Sequence, residues 1–497
     1  MRQINYAVSG KDMAIIDKNT IEYGVDNNSL MELASNEVYQ YIGKTYKNAE
    51  KILIVVGGGN NGGDGICLAR RLLTSNKKVK IYICNSSKKS DLFTSQLNTL
   101  LKIYGDEIIE QRMLREIDEK EFELIIDAVF GNGLNRKLND YYQSIIKRMN
   151  EFKADKLAID IASGLDSETG LAYGIVFKAD HTVTFHAAKI GMLINEGVDN
   201  SGHIEVVDIG LIDDIELKSK INVINHSTYD YYMNKLKIRA INTHKYSYGV
   251  VGISIINDSM IGAGILAAKA AYRAGCGLVK IFVKKDYISA VISNIPEAVC
   301  HMYDNENMID EFEKFRKTCS ILVLGPGMGT DSLAVELVRY SLNTDSFYLY
   351  DASAIRVISN ILDIFSRRKC KCIITPHVGE MAGLISSDSK YVLNNIVEVA
   401  GNFAEKYGVD LVVKSSKSII ITDDKYLNTL GNNGLAVAGS GDVLSGILAS
   451  LLAQNNGENY SLIAGVAEHA MSSERFAVDR EKRSMLASDI VDYIFVK

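Results

Sequence analysis

A six-residue apolar run, KILIVV at residues 51–56, breaks into the loop GGGNNGGDG and then into the helical pattern GICLARRLL. A strand that is apolar on both faces belongs inside a sheet covered on both sides, which points to a parallel sheet. The rest of the first 211 residues repeats the theme: VKIYIC, ELIIDAVF, KLAIDIA, HTVTF and IEVVDIG read as strands separated by helical stretches. Such alternation gives an α/β domain whose ligands bind beyond the carboxyl ends of the strands. Closer to the N-terminus, Ser29 and Glu32 have the spacing of a capping box, which predicts a helix opening at Ser29 over LMELASNEVYQYI.

From Gly249 the alternation resumes with GVVGISII, the small-residue helix GAGILAAKAAYRAG, and then LVKIFV, SILVLG, FYLYD, KCIIT, VDLVVK and SIIIT. Between the two halves, IDDIELKSKINVINHSTYDYYMNKLKIRAIN is polar and irregular. The chain therefore reads as two α/β domains, residues 1–215 and 241–497, joined by a linker over 216–240. Its 497 residues, 47% hydrophobic and 23% charged, suffice for two cores. A net charge of -6 argues against a nucleic-acid backbone as partner. No uncharged apolar run approaches membrane-spanning length, and the N-terminus lacks a signal-peptide layout. Seven scattered cysteines offer neither a disulfide framework nor zinc spacing, so a cytoplasmic location is expected.

The loops carry the chemistry. Gly57, Gly59 and Gly62 satisfy GxGxxG, but the next strand ends at Cys84–Asn85 without the acidic residue that would hold a ribose. No Lys-Ser/Thr follows the glycines, so the loop is not a P-loop either. Asp127 closes ELIID and Asp160 closes KLAID, both at strand ends. Asn61, Asp127 and Ser163 supply oxygen ligands of the kind a hard cation takes, and one carboxylate among neutral oxygens favours a monovalent ion.

In the second half, LAVAGSGDVLSGILAS runs through small residues into Asp442 at the start of an apolar helical pattern. A glycine-rich helix start offers N–H groups to an anion. An aspartate there is a poor phosphate ligand but a good base, so the pairing points to phosphoryl transfer onto a hydroxyl held by Asp442. An ordinary helix cap is the competing account. LGPGMG places Gly325, Gly327 and Gly329 after a strand, Asp351 ends FYLYD, and TPHVGE sets His377 at another strand end. The run Lys414, Ser415, Ser416, Lys417, Ser418 lies between two strands and reads either as a phosphate cradle or as a solvated hairpin.

GGGNNGGDG, DAVFGNGL, DIASGLD and AAKIG, with an early Met13/Asp17 pair and LMELA, resemble the NAD(P)H-hydrate epimerase family over nearly all of residues 1–211. The resemblance implies a Rossmann-like three-layer α/β/α fold that binds potassium through Asn61, Asp127 and Ser163. Substrate is expected against Asn60, Asn61, Gly62, Gly63 and Asp64, against Gly131, Asn132, Gly133, Leu134, Asn135, Arg136 and Lys137, and at Asp160. Asp160 and Lys189 are the expected acid–base pair. The family commonly has proline where this chain has Ala162.

From Thr243 onward, GSGD with LGPGMG, YDASAI, TPHVGE and KSSKS resembles the ADP/ATP-dependent NAD(P)H-hydrate dehydratases, which have a ribokinase-like α/β fold. The resemblance assigns Asp442, His377 and the glycines 325, 327 and 329 to the hydrate. It assigns Lys414, Ser415, Ser416, Lys417, Ser418 and Gly441 to the nucleotide, with magnesium accompanying ADP or ATP. Val378, Ser353 and Ser415 depart from the family pattern. The expected whole is an α/β enzyme of two domains that epimerises the R and S hydrates of NADH and NADPH and then dehydrates the S hydrate, with a lean toward ADP. Its expected partners are the small molecules NADHX, NADPHX and ADP or ATP, in a homo-oligomer without nucleic acid or membrane. The alternative is a vitamin or sugar kinase fused to a nucleotide-binding regulatory module.

Overall fold

The computed structural model describes residues 5–86, 88–212, 217 and 219–496. The chain forms two compact units, Met1–Ile221 and Asn222–Lys497. The expected boundary at 215/216 lies outside the described residues. No helix among the described residues is long and apolar enough to cross a membrane.

The strands of the first unit are β1 (Tyr6–Val8), β2 (Lys51–Val56), β3 (Lys78–Ile83), β4 (Leu124–Ala128), β5 (Asp155–Ile159), β6 (His181–Phe185), β7 (Ala188–Lys189) and β8 (His203–Val207). Six of them form a parallel sheet in the order β3-β2-β4-β5-β6-β8. The apolar run of β2 serves both faces. Ile52, Ile54 and Val56 enter one core and Leu53 and Val55 the other, as the two-residue period of a strand requires. β1 pairs in parallel with β7. The expected capping box at Ser29 and Glu32 is not formed. The helix Asn27–Thr45 begins earlier because the Asp26 carboxylate accepts the Ser29 N–H at 2.9 Å and its hydroxyl at 3.1 Å. Glu32 turns instead to the guanidinium groups of Arg70 and Arg71.

The second unit contains β9 (Ile221–Ile224), β10 (Val250–Ile255), β11 (Leu278–Lys284), β12 (Val299–Tyr303), β13 (Ile321–Leu324), β14 (Phe347–Tyr350), β15 (Lys371–Ile374), β16 (Asp410–Val413), β17 (Ile419–Ile421) and β18 (Lys425–Asn428). They join in the order β12-β11-β10-β13-β14-β15-β16-β17-β18-β9. All pairs are parallel except those of β17, which runs antiparallel to both neighbours. The stretch expected to be an irregular linker is folded where it is described: β9 pairs with β18, and helix His226–Met233 follows under an Asn225 cap. Part of its apolar content enters the core, with Val223, Ile224 and Tyr232 buried, while Ile238 and Ile241 stay exposed.

Two helices form the heart of this unit. Ser440–Gln454 lies against Ile261–Arg273, whose alanines 267, 268, 270 and 271 are buried. A Cβ on Gly446 would stand 2.1 Å from the Ala267 carbonyl oxygen and 2.9 Å from the Ala270 Cβ. Gly446→Ala must therefore push the helices apart, and overpacking of this kind costs about 1–3 kcal/mol. Calorimetry on the full chain should show the melting of this unit lowered by roughly 2–4 °C per kcal/mol. An unchanged transition would mean that the helices are not this close.

Candidate active site

In the first unit the loops at the carboxyl ends of β2, β4 and β5 surround a cavity of about 920 Å³. The helix Asn60–Thr74 begins directly after β2, and its first residues Asn60, Asn61 and Asp64 face the cavity. Gly131–Arg136, Asp160 and Lys189 line it as well, joined by Asp17 from the first helix. Three expected contacts are missing from this wall. Gly62 and Gly63 are buried behind it, where a Cβ would meet the Gly57 carbonyl at 1.9 Å and Met31 Cε at 2.6 Å, so they serve close packing. Lys137 is exposed and does not line the cavity.

Asp127, Ser163 and Asn61 do come together. Asp127, fully buried, accepts the Ser163 N–H and hydroxyl, both at 2.7 Å, and the Val129 N–H at 3.1 Å. Burial raises its carboxyl to about 6 against the pull of those hydrogen bonds. The Asn61 amide donates to the Phe130 carbonyl at 2.9 Å, which leaves its buried Oδ1 with no hydrogen-bond partner. An orphaned acceptor beside a carboxylate, a hydroxyl and a carbonyl fits a hard monovalent cation.

Asp160 closes β5 in a left-handed conformation with φ of 67°, one that Asp adopts more readily than most residues. Lys189, 1% exposed, places its ammonium 2.5 Å from Asp160 Oδ1, 2.7 Å from the Thr184 hydroxyl and 3.4 Å from the Phe185 carbonyl. The Lys189 ammonium therefore serves Asp160, while Asp17 and Asp64 share the cavity, whose lining also includes Asp166, Glu168, Lys11 and Arg136. Burial and the Asp160 charge raise Asp17 to about 6, opposed by Lys189, although Asp17 keeps solvent contact inside the cavity. Burial and the charges of Asp160 and Asp17 hold Asp64 well above the usual carboxylate range. The set can hold a proton next to a carboxylate, the basis of acid–base work.

In the second unit the functional loops converge on Asp351, 1% exposed at the end of β14. Its Oδ1 receives the Lys414 ammonium at 2.5 Å and its Oδ2 the Ser445 hydroxyl at 2.7 Å. A Cβ on Gly325 would lie 1.8 Å from the Asp351 carbonyl oxygen, which brings the 325–329 loop against this residue. Lys414 is thereby turned inward, within 3.3 Å of the place a Cβ would take on Gly441. Asp442 stands in the same field: burial and the charges of Asp351 and Glu380 raise it to about 6, while Lys414 lowers it.

The helix carrying Asp442 starts from Gly439, whose φ of 90° suits glycine, and no side chain caps it. The expected helix start at Asp442 thus moves to Ser440, and Asp442 is not the cap. His377 caps the neighbouring helix Val378–Leu384, its Nδ1 accepting the Gly379 and Glu380 N–H groups at 3.0 and 3.2 Å. Burial, Lys414 and Arg356 lower its pKa, so Nε2 carries the proton of a neutral ring. The loop of residues 414–418 is the turn of the β16–β17 hairpin. Within it Lys417 donates to the Thr429 carbonyl at 2.6 Å, and Ser415 to the Lys417 carbonyl at 2.6 Å. Burial lowers the Lys417 pKa. Neither lysine is a free surface cation. Sequence reasoning gave no role to Asp351 or Ser445, and it missed His469, which donates to the Ser440 carbonyl at 3.0 Å.

Residues 254–495 match the family model described as NAD(P)H-hydrate dehydratase, and residues 27–191 match that of YjeF-related protein N-terminus. The bifunctional NAD(P)H-hydrate repair enzyme Nnr of Dictyoglomus turgidum is 32% identical over 489 residues, covering 95% of this chain and 93% of that protein. The enzyme of the same name from Moorella thermoacetica is 28% identical, covering 98% of this chain and 96% of that protein. Among solved structures, the Bacillus subtilis ADP/ATP-dependent NAD(P)H-hydrate dehydratase co-crystallised with ATP/Mg2+ matches with a TM-score of 0.47 and 24% identity. That match covers 54% of this chain and 95% of the Bacillus chain. Two family models and relatives matched end to end place this chain among the bifunctional NAD(P)H-hydrate repair enzymes, with an epimerase domain followed by a dehydratase domain.

Proposed function

We propose that residues 1–215 interconvert the R and S hydrates of NADH and NADPH, and that residues 241–497 return the S hydrate to NAD(P)H by phosphoryl transfer from ADP or ATP. The observation that carries the dehydratase reading is Asp442, a carboxylate raised to about 6 on an uncapped helix start beside Lys414. In this reading Asp442 takes the proton of the hydrate hydroxyl as that oxygen attacks the terminal phosphorus. The N–H groups around Gly441 receive the transferring phosphoryl oxygens, and Lys414 offsets their charge. The ring nitrogen's electrons then expel phosphate, and loss of a proton from the adjacent ring carbon restores the dihydropyridine. His377, with its proton on Nε2, and the 325–329 glycines orient the hydrate. Ser415–Ser418 form the nucleotide side of the pocket. Magnesium accompanying the nucleotide supplies further neutralisation of phosphate charge.

In the epimerase, Asp160 and Lys189 serve as the acid–base pair. Substrate lies along Asn60, Asn61, Asp64 and Gly131–Arg136. Asn61, Asp127 and Ser163 hold potassium, which supplies fixed positive charge at the mouth of β4. An assembly of identical subunits belongs to the same proposal, and light scattering from the full chain checks it.

Incubating mixed hydrated NADH epimers with the protein and ADP or ATP tests the whole reading. Return of reduced-nicotinamide absorbance with release of free phosphate is expected, whereas a stable phosphorylated product would overturn it. Asp442→Asn keeps the shape but cannot take the proton. It should lower the dehydratase kcat by at least about 100-fold with the nucleotide KM nearly unchanged. In the wild type that rate should fall as the pH drops through about 6, where Asp442 takes up its proton. A flat profile would remove Asp442 from the role of base.

The cation reading has its own check. Replacing potassium with tetramethylammonium should depress epimerisation and leave dehydration of pure S hydrate in place. Asp127→Asn should reproduce that pattern without added potassium restoring the rate. Equal loss of both activities would point to a folding defect rather than a local cation site.

A further inference from the structure

No side chain caps the start of helix Ser440–Gln454, whose own ladder begins with the Val443 N–H on the Gly439 carbonyl at 3.1 Å. Gly439 supplies no side chain, and Ser440 does not turn outward to replace it. The Ser440 hydroxyl lies instead 3.2 Å from His469 Nε2, and the Ser440 carbonyl oxygen lies 3.0 Å from the same nitrogen. A carbonyl can only accept, so Nε2 carries the proton and donates. The imidazole is 8% exposed, midway along the helix Tyr460–Asp479. That helix is itself pinned next door: Glu468 accepts Arg475 at 2.7 Å and the Phe495 N–H at 2.5 Å, and also the Tyr229 hydroxyl.

Ser440 C=O and Gly441 N–H belong to one peptide unit, and in a trans peptide they point in opposite directions. A donor that holds the carbonyl on the buried side therefore adds to the helix ladder in fixing the direction of the N–H on the other side. It also polarises the unit and makes that N–H a stronger donor. We propose that His469 is a positioning residue for phosphoryl transfer: through its hydrogen bond to the Ser440 carbonyl it aims and sharpens the Gly441 N–H that receives the phosphoryl oxygens.

Burial supports a neutral donor. It lowers the His469 pKa to about 4 against the pull of the Ser440 carbonyl, with Lys414 adding to the decrease. The ring thus stays uncharged near neutral pH and adds no pH dependence there. A histidine that titrates near 6.5 unfolded and about 4 folded costs stability as the pH falls from about 6.5 to about 4, and nothing above.

The inference rests on the reading of Asp442 and Gly441 above, so Asp442→Asn is assayed alongside. The amide nitrogen of His469→Gln reaches the place of Nε2, whereas that of His469→Asn stops at the place of Nδ1. His469→Asn should lower the dehydratase kcat by about tenfold or more with the KM for ADP or ATP within about threefold. His469→Gln should recover kcat to within about threefold. Epimerisation should be unchanged in both, and His469→Gln should flatten the loss of stability between pH 6.5 and 4. Wild-type kcat in His469→Asn would overturn the proposal while an inactive Asp442→Asn leaves the dehydratase reading standing. Equal impairment of a cooperatively melting Gln and Asn pair would also overturn it, because ring shape and not the hydrogen bond would then matter. If the Asn variant does not fold, a Gln variant below one-tenth of wild-type kcat is sufficient to overturn it. A wild-type rate in Asp442→Asn would instead bring down the reading beneath both.

Discussion

Each unit is arranged around a buried strand-end aspartate whose charge the surrounding loops must compensate. Asp127 does so with hydrogen bonds alone, from Ser163 and Val129. Asp351 does so with the Lys414 ammonium and the Ser445 hydroxyl. A buried carboxylate left without such partners is strongly destabilising. The groups that satisfy these two are therefore held in place by the fold itself. They are also the groups nearest the proposed chemistry. Ser163 belongs to the proposed cation ligands, Lys414 lies at the proposed phosphoryl site, and Ser445 ties the helix that carries Asp442 to the end of β14.

The parallel sheets explain why this economy is possible. Their carboxyl ends gather loops that are far apart in sequence, so Asp351, His377, Lys414 and Asp442 share one electric field although they come from four elements. The result is visible in the directions of titration. Asp442 is raised and His377 lowered by their surroundings, and Lys414 acts on both. In the cavity of the first unit Asp160 has the Lys189 ammonium, while Asp17 is raised to about 6 and Asp64 is held well above the usual carboxylate range.

Much of this was legible in the chain. The apolar strands and the glycine-rich turns after them located the sheets and the loops, because strand period and turn chemistry are local signals. The Asp160–Lys189 pair was also within reach, since both stand in motifs. What escaped was set by distance. His469 lies in SLIAGVAEHAMSS, within a buried helix, and nothing local announces Ser440 as its partner. The inward turn of Lys414 depends on Asp351, 63 residues away. At Ser29 the reverse happened: a valid local pattern lost to Asp26, which consumes the Ser29 hydroxyl and starts the helix sooner.

The left-handed backbone at Asp160 ties two demands to one residue. Asparagine or glycine satisfies that backbone but brings no negative charge to the ammonium of Lys189. Glutamate keeps the charge, yet it lacks the short side chain that makes aspartate tolerable at positive φ, and its extra methylene displaces the carboxylate. Every single replacement gives up either the turn or the ion pair. The position is therefore closed to gradual drift: a descendant of this chain can leave aspartate only by rebuilding the β5 turn and the Lys189 pocket together.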